Sequence, residues 1–424
     1  MTSKAMKEGR RPSVLFVSNL FPDSVSTYRG LDNATLLHAL SGSFELHVIS
    51  PRPSLNAIKC LNSPVNRITP RKIDEMFSPR FVHVPYIPFF GTPFNYILLK
   101  SFLRNPVARL LKSCRVDAIV CSWLYPDGCA LASIAKKLRI PLILITQGTD
   151  THHYIRFPVR KKLILSAIDQ SCSVVTRSIA LGRLLGNAGV DTRKIYPVYN
   201  GVDESIFHKR SRSLCRRFLG LNEVDKIFLF TGNFLPVKNP AFLIKAFART
   251  QQYQDAFLVM IGKGPLRNEL EKLAQSLGVE KRVVFTGPLD SEQVAQWMGA
   301  ADCLCLSSLN EGLPNVVLEA VASEIPIIST DVGGIGELVN SESIGKLVQL
   351  GDMDGYVEAL LSVITGEQRQ VNAVHEASGF SWADCARKYA SIIDGAIKSR
   401  GNELSLPLEP SDVVCSLSQI LRDE

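Results

Sequence analysis

Short apolar runs recur along the chain, separated by stretches whose apolar positions repeat every three or four residues. In the first half the runs are VLFVSN (14–19), FELHVIS (44–50), DAIVCSW (117–123), PLILIT (141–146) and CSVVTRS (172–178). In the second half they are KIFLFTG (226–232), AFLVMIG (256–262), RVVFTG (282–287), DCLCLSS (302–308) and PIIST (326–330). Runs apolar on both faces predict strands buried on both faces, hence a mainly parallel sheet covered by helices. Helical stretches fall near 33–41, 128–138, 240–250, 266–277, 291–299, 314–322 and 381–398. Because the alternation occurs twice, the expected class is α/β, with two doubly wound, Rossmann-like domains. A length of 424 residues agrees with two domains. The segment IYPVYNGVDESIF (195–207) is the expected boundary. Ligands of open α/β sheets bind beyond the carboxyl ends of the strands, so two such domains facing across a cleft suit the joining of two substrates.

Composition changes this picture little: 46% hydrophobic and 21% charged residues are ordinary for a soluble globular protein. No apolar run reaches the roughly 18–20 residues of a membrane span. Basic residues precede the first apolar run, but Asn19, Pro22 and Asp23 end it early, so it reads as a strand and not as a signal peptide. The ten cysteines are scattered without a C-x-x-C. Cys303 and Cys305 alternate within a strand and should share one buried face. This usage suits a reducing, cytoplasmic compartment and implies no metal.

Charge is informative because it is uneven. Residues 1–200 hold 27 Lys/Arg against 11 Asp/Glu, whereas the rest holds 21 against 29. The basic half attracts anions, such as a lipid phosphate or the anionic inner face of the plasma membrane; a solvated basic face without a partner is the alternative. The aromatic-rich segment 83–105, ending in Lys100 and Arg104, suits a membrane surface or a lipid-linked acceptor, or else a core helix. Nucleic acid is not an expected partner, because the basic half lacks an RNA motif.

Candidate chemistry concentrates in SSLNEGLPNVVLEAVASEIP (307–326). A strand ends at 307 or 308, a polar loop carries Glu311 and Gly312, and Pro314 suits the first turn of a helix. That helix should bury Val316, Val317 and Ala320. Glu311 precedes the helix and Glu319 lies inside it. Free backbone N–H groups at a helix N-terminus bind phosphate. A diphosphate near Gly312, Leu313, Pro314, Asn315 and Val316 would have a carboxylate on either side, one for a hexose and one for a ribose. Two glutamates eight apart would otherwise be a capping acid and a surface charge.

The segment resembles the Glu-x7-Glu signature of retaining glycosyltransferases with the GT-B fold (glycosyl transferases group 1). TDVGGIGELV (330–339), AADCLCLSS (300–308), the Asn-Gly-Val-Asp of 200–203 and LVMIGKGPLRNEL (258–270) continue the likeness. The resemblance implies an acceptor-binding domain over 1–197 and a nucleotide-sugar domain over 198–378. Over 379–424 it implies a helix crossing back to the first domain, plus a tail. In TGNFLPVKNP (231–240) the family usually has an Arg after the Gly and a Lys five residues later. Lys238 matches the Lys, whereas Asn233 stands where Arg is common. Gly264 follows a strand where the backbone would approach the donor ribose or base, or would serve a structural turn. On the acceptor side, QGTD (147–150) departs at Gln147, where the family has His or a basic residue, and keeps Gly148 and Asp150. Arg29-Gly30 replaces a Gly-Gly pair in the loop after the first strand; Gly30 allows close backbone approach, and Arg29 would reach an anionic acceptor or the donor phosphate, or else is a solvated arginine.

The resemblance implies transfer of a hexose from a UDP- or GDP-sugar to a glycan or lipid-linked acceptor in surface-polysaccharide synthesis, with no cofactor and no metal. Lys238 and Glu311 would be the catalytic residues. The rival readings are a nucleotide-sugar epimerase on the same fold, and a subunit that binds sugar nucleotide without transferring it.

Overall fold

The computed structural model describes residues 10–23, 29–54, 77–88, 91, 93–250, 252–366 and 380–403. It divides into two compact units. Unit 1 contains the described residues up to Tyr199 together with the helix that starts at Trp382; unit 2 is Asn200–Ser381.

Unit 1 is built on a seven-stranded parallel sheet of β1 (Ser13–Val17), β2 (Glu45–Ser54), β3 (Arg80–Pro85), β4 (Ala118–Ser122), β5 (Leu142–Ile145), β6 (Ser173–Thr176) and β7 (Ile195–Pro197). The order is β3-β2-β1-β4-β5-β6-β7. Val14 of β1 lies between Leu46 of β2 and Ala118 of β4. Alternation within the strands builds two cores. Leu15, Val17, Ile119, Leu142 and Leu144 pack with Leu103 and Leu131 on one face. Val14, Phe16, Val120, Ile143 and Ile145 pack on the other with Leu36 and Leu37 of the Leu31–Leu40 helix and Tyr389 and Ile393 of the Trp382–Glu403 helix.

Unit 2 repeats the plan with six parallel strands, β8 (Lys226–Thr231), β9 (Ala256–Ile261), β10 (Val283–Gly287), β11 (Cys303–Leu306), β12 (Ile327–Thr330) and β13 (Gly345–Val348), ordered β10-β9-β8-β11-β12-β13. Cys303 and Cys305 do share one face, fully buried among Phe228, Met260 and Leu360. In each sheet the winding direction reverses beside the first strand, between β1 and β4 and between β8 and β11. That switch point opens a crevice at the carboxyl ends of the strands.

Ten of the thirteen strands coincide with the apolar runs. The other three, β3, β7 and β13, are sheet edges. Edge strands bury one side only, so their apolar signal is weaker, and β3 and β7 each end in a proline, tolerated there because no ladder bond is lost. The segment 83–105 is a strand end followed by the Asn95–Ser113 helix, which buries Leu99, Leu103 and Val107 and exposes Phe94 before it and Ile97 within it. Among the described residues no helix is long and apolar enough to cross a membrane.

Candidate active site

The switch point of unit 2 is formed by the loops after β8 and β11, and backbone bonds tie them together. Leu309 N donates to Val237 O at 2.8 Å. Ser307 Oγ donates to Lys238 O (3.1 Å) and Asn239 O (2.9 Å). Held this way, Lys238 Nζ lies 2.5 Å from Glu311 Oε1, which also accepts from Ser308 Oγ at 2.7 Å. Both side chains stay reachable, with 26% of Lys238 and 10% of Glu311 exposed.

The turn after β12 braces this loop. Gly333 has φ 62°, and a Cβ there would lie 1.9 Å from Glu311 O, so only glycine fits. Gly334 N donates to Gly312 O at 2.6 Å. The Asn315–Ala322 helix then starts beside Glu311. Pro314 is its N-cap (φ −69°, ψ 135°) and not part of its first turn, because the extended ψ places it outside the helix. The helix buries Val317, Leu318, Ala320 and Val321. Val316 is only partly buried, a correction to the expected core, because the helical stripe runs one position later. No side chain caps this N-terminus. Its first amides are therefore open to an anion. Leu313 is buried beneath the loop, while Asn315 is exposed and its Oδ1 accepts from Asn200 Nδ2 at 2.7 Å.

Glu319 sits on the same helix, partly exposed. Burial by the surrounding protein, with no cation to offset it, raises its carboxyl to about 7. Asn233 is exposed on the loop after β8. Gly264 approaches protein backbone: a Cβ there would meet Phe234 O at 2.5 Å, so this glycine positions the Asn233–Lys238 loop.

In unit 1 the expected acceptor-side residues turn inward. Asp150 is fully buried, and its oxygens accept from Leu124 N (2.9 Å) and Gln147 N (2.9 Å), so it pins the loop after β5 to the turn after β4. Burial raises its carboxyl to about 6. Gly148 supplies the φ of 106° that this loop requires. Gln147 Nε2 donates to Ser122 Oγ (2.5 Å) and Asn33 Oδ1 (3.2 Å). Arg29 donates to Asn19 O and Asn19 Oδ1, both at 3.0 Å. Gly30 packs on the backbone of Leu20.

The sequence reading did not single out the residues that organise this end of unit 1. Asp127 Oδ2 accepts from Asn19 N (2.7 Å) and Nδ2 (3.0 Å), and burial raises it to about 7. Arg52, 2% exposed, pairs with buried Asp23 at 2.9 Å and donates to Asn19 O at 2.7 Å. A buried arginine has no local signature; YPDG (125–128) was the only available signal for Asp127. Among the described residues, no three His, Cys, Asp or Glu side chains are grouped to hold a metal.

A solvent-reachable lysine–carboxylate pair, an uncapped helix N-terminus and a desolvated carboxyl can together hold a phosphorylated, hydroxyl-rich ligand. Residues 211–379 match the family described as Glycosyl transferases group 1, and residues 34–206 match Glycosyltransferase Family 4. The chain is 29% identical over 282 residues to the N-acetyl-alpha-D-glucosaminyl L-malate synthase of Bacillus anthracis, covering 66% of this chain and 73% of that one. It is 30% identical over 239 residues to the D-inositol 3-phosphate glycosyltransferase of a Nocardioides strain, covering 52% of each. Among solved structures, Anabaena HepE in complex with UDP-glucose superposes with a TM-score of 0.63 at 20% identity, over 93% of this chain and 99% of that one. The chain belongs to the glycosyl transferases group 1 family and has the GT-B fold of two Rossmann-like domains.

Proposed function

We propose that the chain is a hexosyltransferase that moves a hexose from a UDP- or GDP-sugar to a glycan or lipid-linked acceptor, with retention at the anomeric carbon, in surface-polysaccharide synthesis. The observation that carries the reading is the Lys238–Glu311 pair beside the uncapped 315–322 helix. Lys238 and the first amides of that helix stabilise the departing diphosphate, where negative charge develops. Glu311 orients the hexose and Glu319 takes the ribose hydroxyls. The bond from the anomeric carbon to phosphate oxygen breaks as the acceptor oxygen attacks from the same face. The acceptor proton passes to the leaving phosphate. HepE was solved with UDP-glucose, which supports a nucleotide-sugar donor here. The reading places the enzyme in the cytoplasm, with the basic unit 1 against anionic membrane. Glu311→Ala tests it: the expected result is a folded protein that has lost sugar transfer, and unchanged transfer would sink the assignment.

A second reading, binding without transfer, is favoured by exposed Asn233 in place of a cation and by Gln147 spending its amide internally. Tight nucleotide-sugar binding with no transfer to any of a panel of glycan and lipid-linked acceptors would select it.

A further inference from the structure

We infer that unit 1 carries a pocket for a ring-shaped polyol bearing a phosphate or carboxylate, and that this is the acceptor or its terminal unit; the acceptor role rests on the transferase reading above. A cavity of about 300 Å³ lies at the carboxyl ends of β1 to β4, at the switch point of this sheet. That volume is at the lower end for small-molecule sites and suits one ring. Its walls are Pro51, Pro85, Tyr86, Trp123, Tyr125 and Tyr154, and its polar edge includes Asn19 and Asp127. Flat aromatic and proline faces accommodate the C–H faces of a ring, while the polar edge meets hydroxyls.

Arg160 supplies the anion specificity. Its guanidinium lies 4.4 Å from the Tyr154 ring centroid, 5.3 Å from Phe157 and 5.5 Å from Tyr125. The three rings hold the guanidinium in place, and its N–H donors form a fork that suits a carboxylate or a phosphate. The segment around it, RFPVRKK (156–162), contains no acid to neutralise it. Among the described residues Asp127 is the only carboxylate lining the cavity, and Asn19 holds one of its oxygens through two hydrogen bonds.

The aromatic wall is held at a backbone cost. Trp123 has φ 105° and ψ 113°, a region a bulky side chain rarely enters. Its rigidity comes from neighbours. Trp123 N donates to Ile145 O, Gly128 N donates to Trp123 O, and the next amide, Leu124 N, is held by Asp150. Asp150 is thus a positioning residue for this wall. Trp123 and Tyr125 both meet Tyr154 edge to face, at 6.2 and 6.1 Å.

The test is calorimetric titration of the intact chain with inositol 3-phosphate and glucuronate, and with their uncharged counterparts inositol and glucose. A parallel arm uses sedimentation with phosphatidylinositol vesicles, to separate a free acceptor from a lipid headgroup. The expected result is binding of the charged forms only, at least tenfold weaker in Arg160→Gln and intermediate in Arg160→Lys. The exposed-site control Lys162→Gln should bind as the parent does. Vesicle binding that Arg160→Gln abolishes supports the same chemistry from a lipid source. Equal binding of uncharged rings, equal binding by Arg160→Gln, or no binding of any charged probe or vesicle overturns the inference. Nucleoside diphosphate binding by unit 2, measured alongside, reports folding; its absence in the parent chain would sink the transferase reading without touching the ligand class of this pocket.

Discussion

The two units place loops at the same point of the same architecture, yet they use carboxylates in opposite ways. In unit 2, Glu311 and Glu319 keep contact with solvent, and the loops are held by backbone bonds, by Ser307 and by the close approach of Gly333. In unit 1, Asp127 and Asp150 are buried and spend their oxygens on Asn19, Leu124 and Gln147. The cavity there is lined mainly by aromatic and proline rings and Arg160, with Asn19 and Asp127 at one edge. A carboxylate can serve a ligand only if something else holds its loop. In unit 1 the acids themselves brace the loops, alongside Gly148 and Gly30.

The sharpest way to break this comparison is at Lys238 and Glu311. Alanine at either should cost about 10²–10³ in transfer rate, the range for losing one preorganised charge-stabilising group, with melting temperature little changed. A transfer assay with labelled donor checks the first, and thermal melts the second. Asp150→Ala should do the reverse. It leaves buried amides without acceptors and should cost roughly 2–4 kcal/mol of stability, read from denaturant unfolding, while leaving nucleotide affinity near the parent value.

Glu319 offers a pH test. Its carboxyl titrates at about 7, so it loses charge as pH falls from 8 to 6. A ribose hydroxyl is held better by the ionised form. Nucleoside diphosphate binding should therefore weaken over that window more steeply in the parent than in Glu319→Gln, where only the ligand titrates; calorimetry at pH 8, 7 and 6 decides it. Equal slopes would remove Glu319 from the ribose site. The smallest expected change is a gain. Asn233→Arg restores a second cation beside Lys238 and should tighten nucleotide binding about threefold to tenfold, since a charge-assisted bond replaces none.

Much of the proposed donor site was legible. Glu311, Gly312, Pro314 and Glu319 are contiguous, so strand, loop and helix could be read in order. The acceptor side was not. Gly148 and Asp150 were visible as a turn, but whether an aspartate faces solvent or the backbone of a loop 26 residues away depends on packing. Arg29, read as a candidate substrate contact, braces Asn19. The aromatic cage around Arg160 joins Tyr125 to Tyr154 and Phe157, which lie in a different stretch of the chain, so no local pattern announces it.

The sequence by itself determined the α/β class, the two doubly wound sheets and the strand–loop–helix order around Glu311, because hydrophobic periodicity and turn chemistry act between near neighbours. Tertiary structure alone decided the edge strands β3, β7 and β13, the inward turn of Asp127 and Asp150, and the meeting of Lys238 with Glu311 across 73 residues. Those outcomes depend on burial and on which distant backbone amides need an acceptor, and neither is a property of a local stretch of chain.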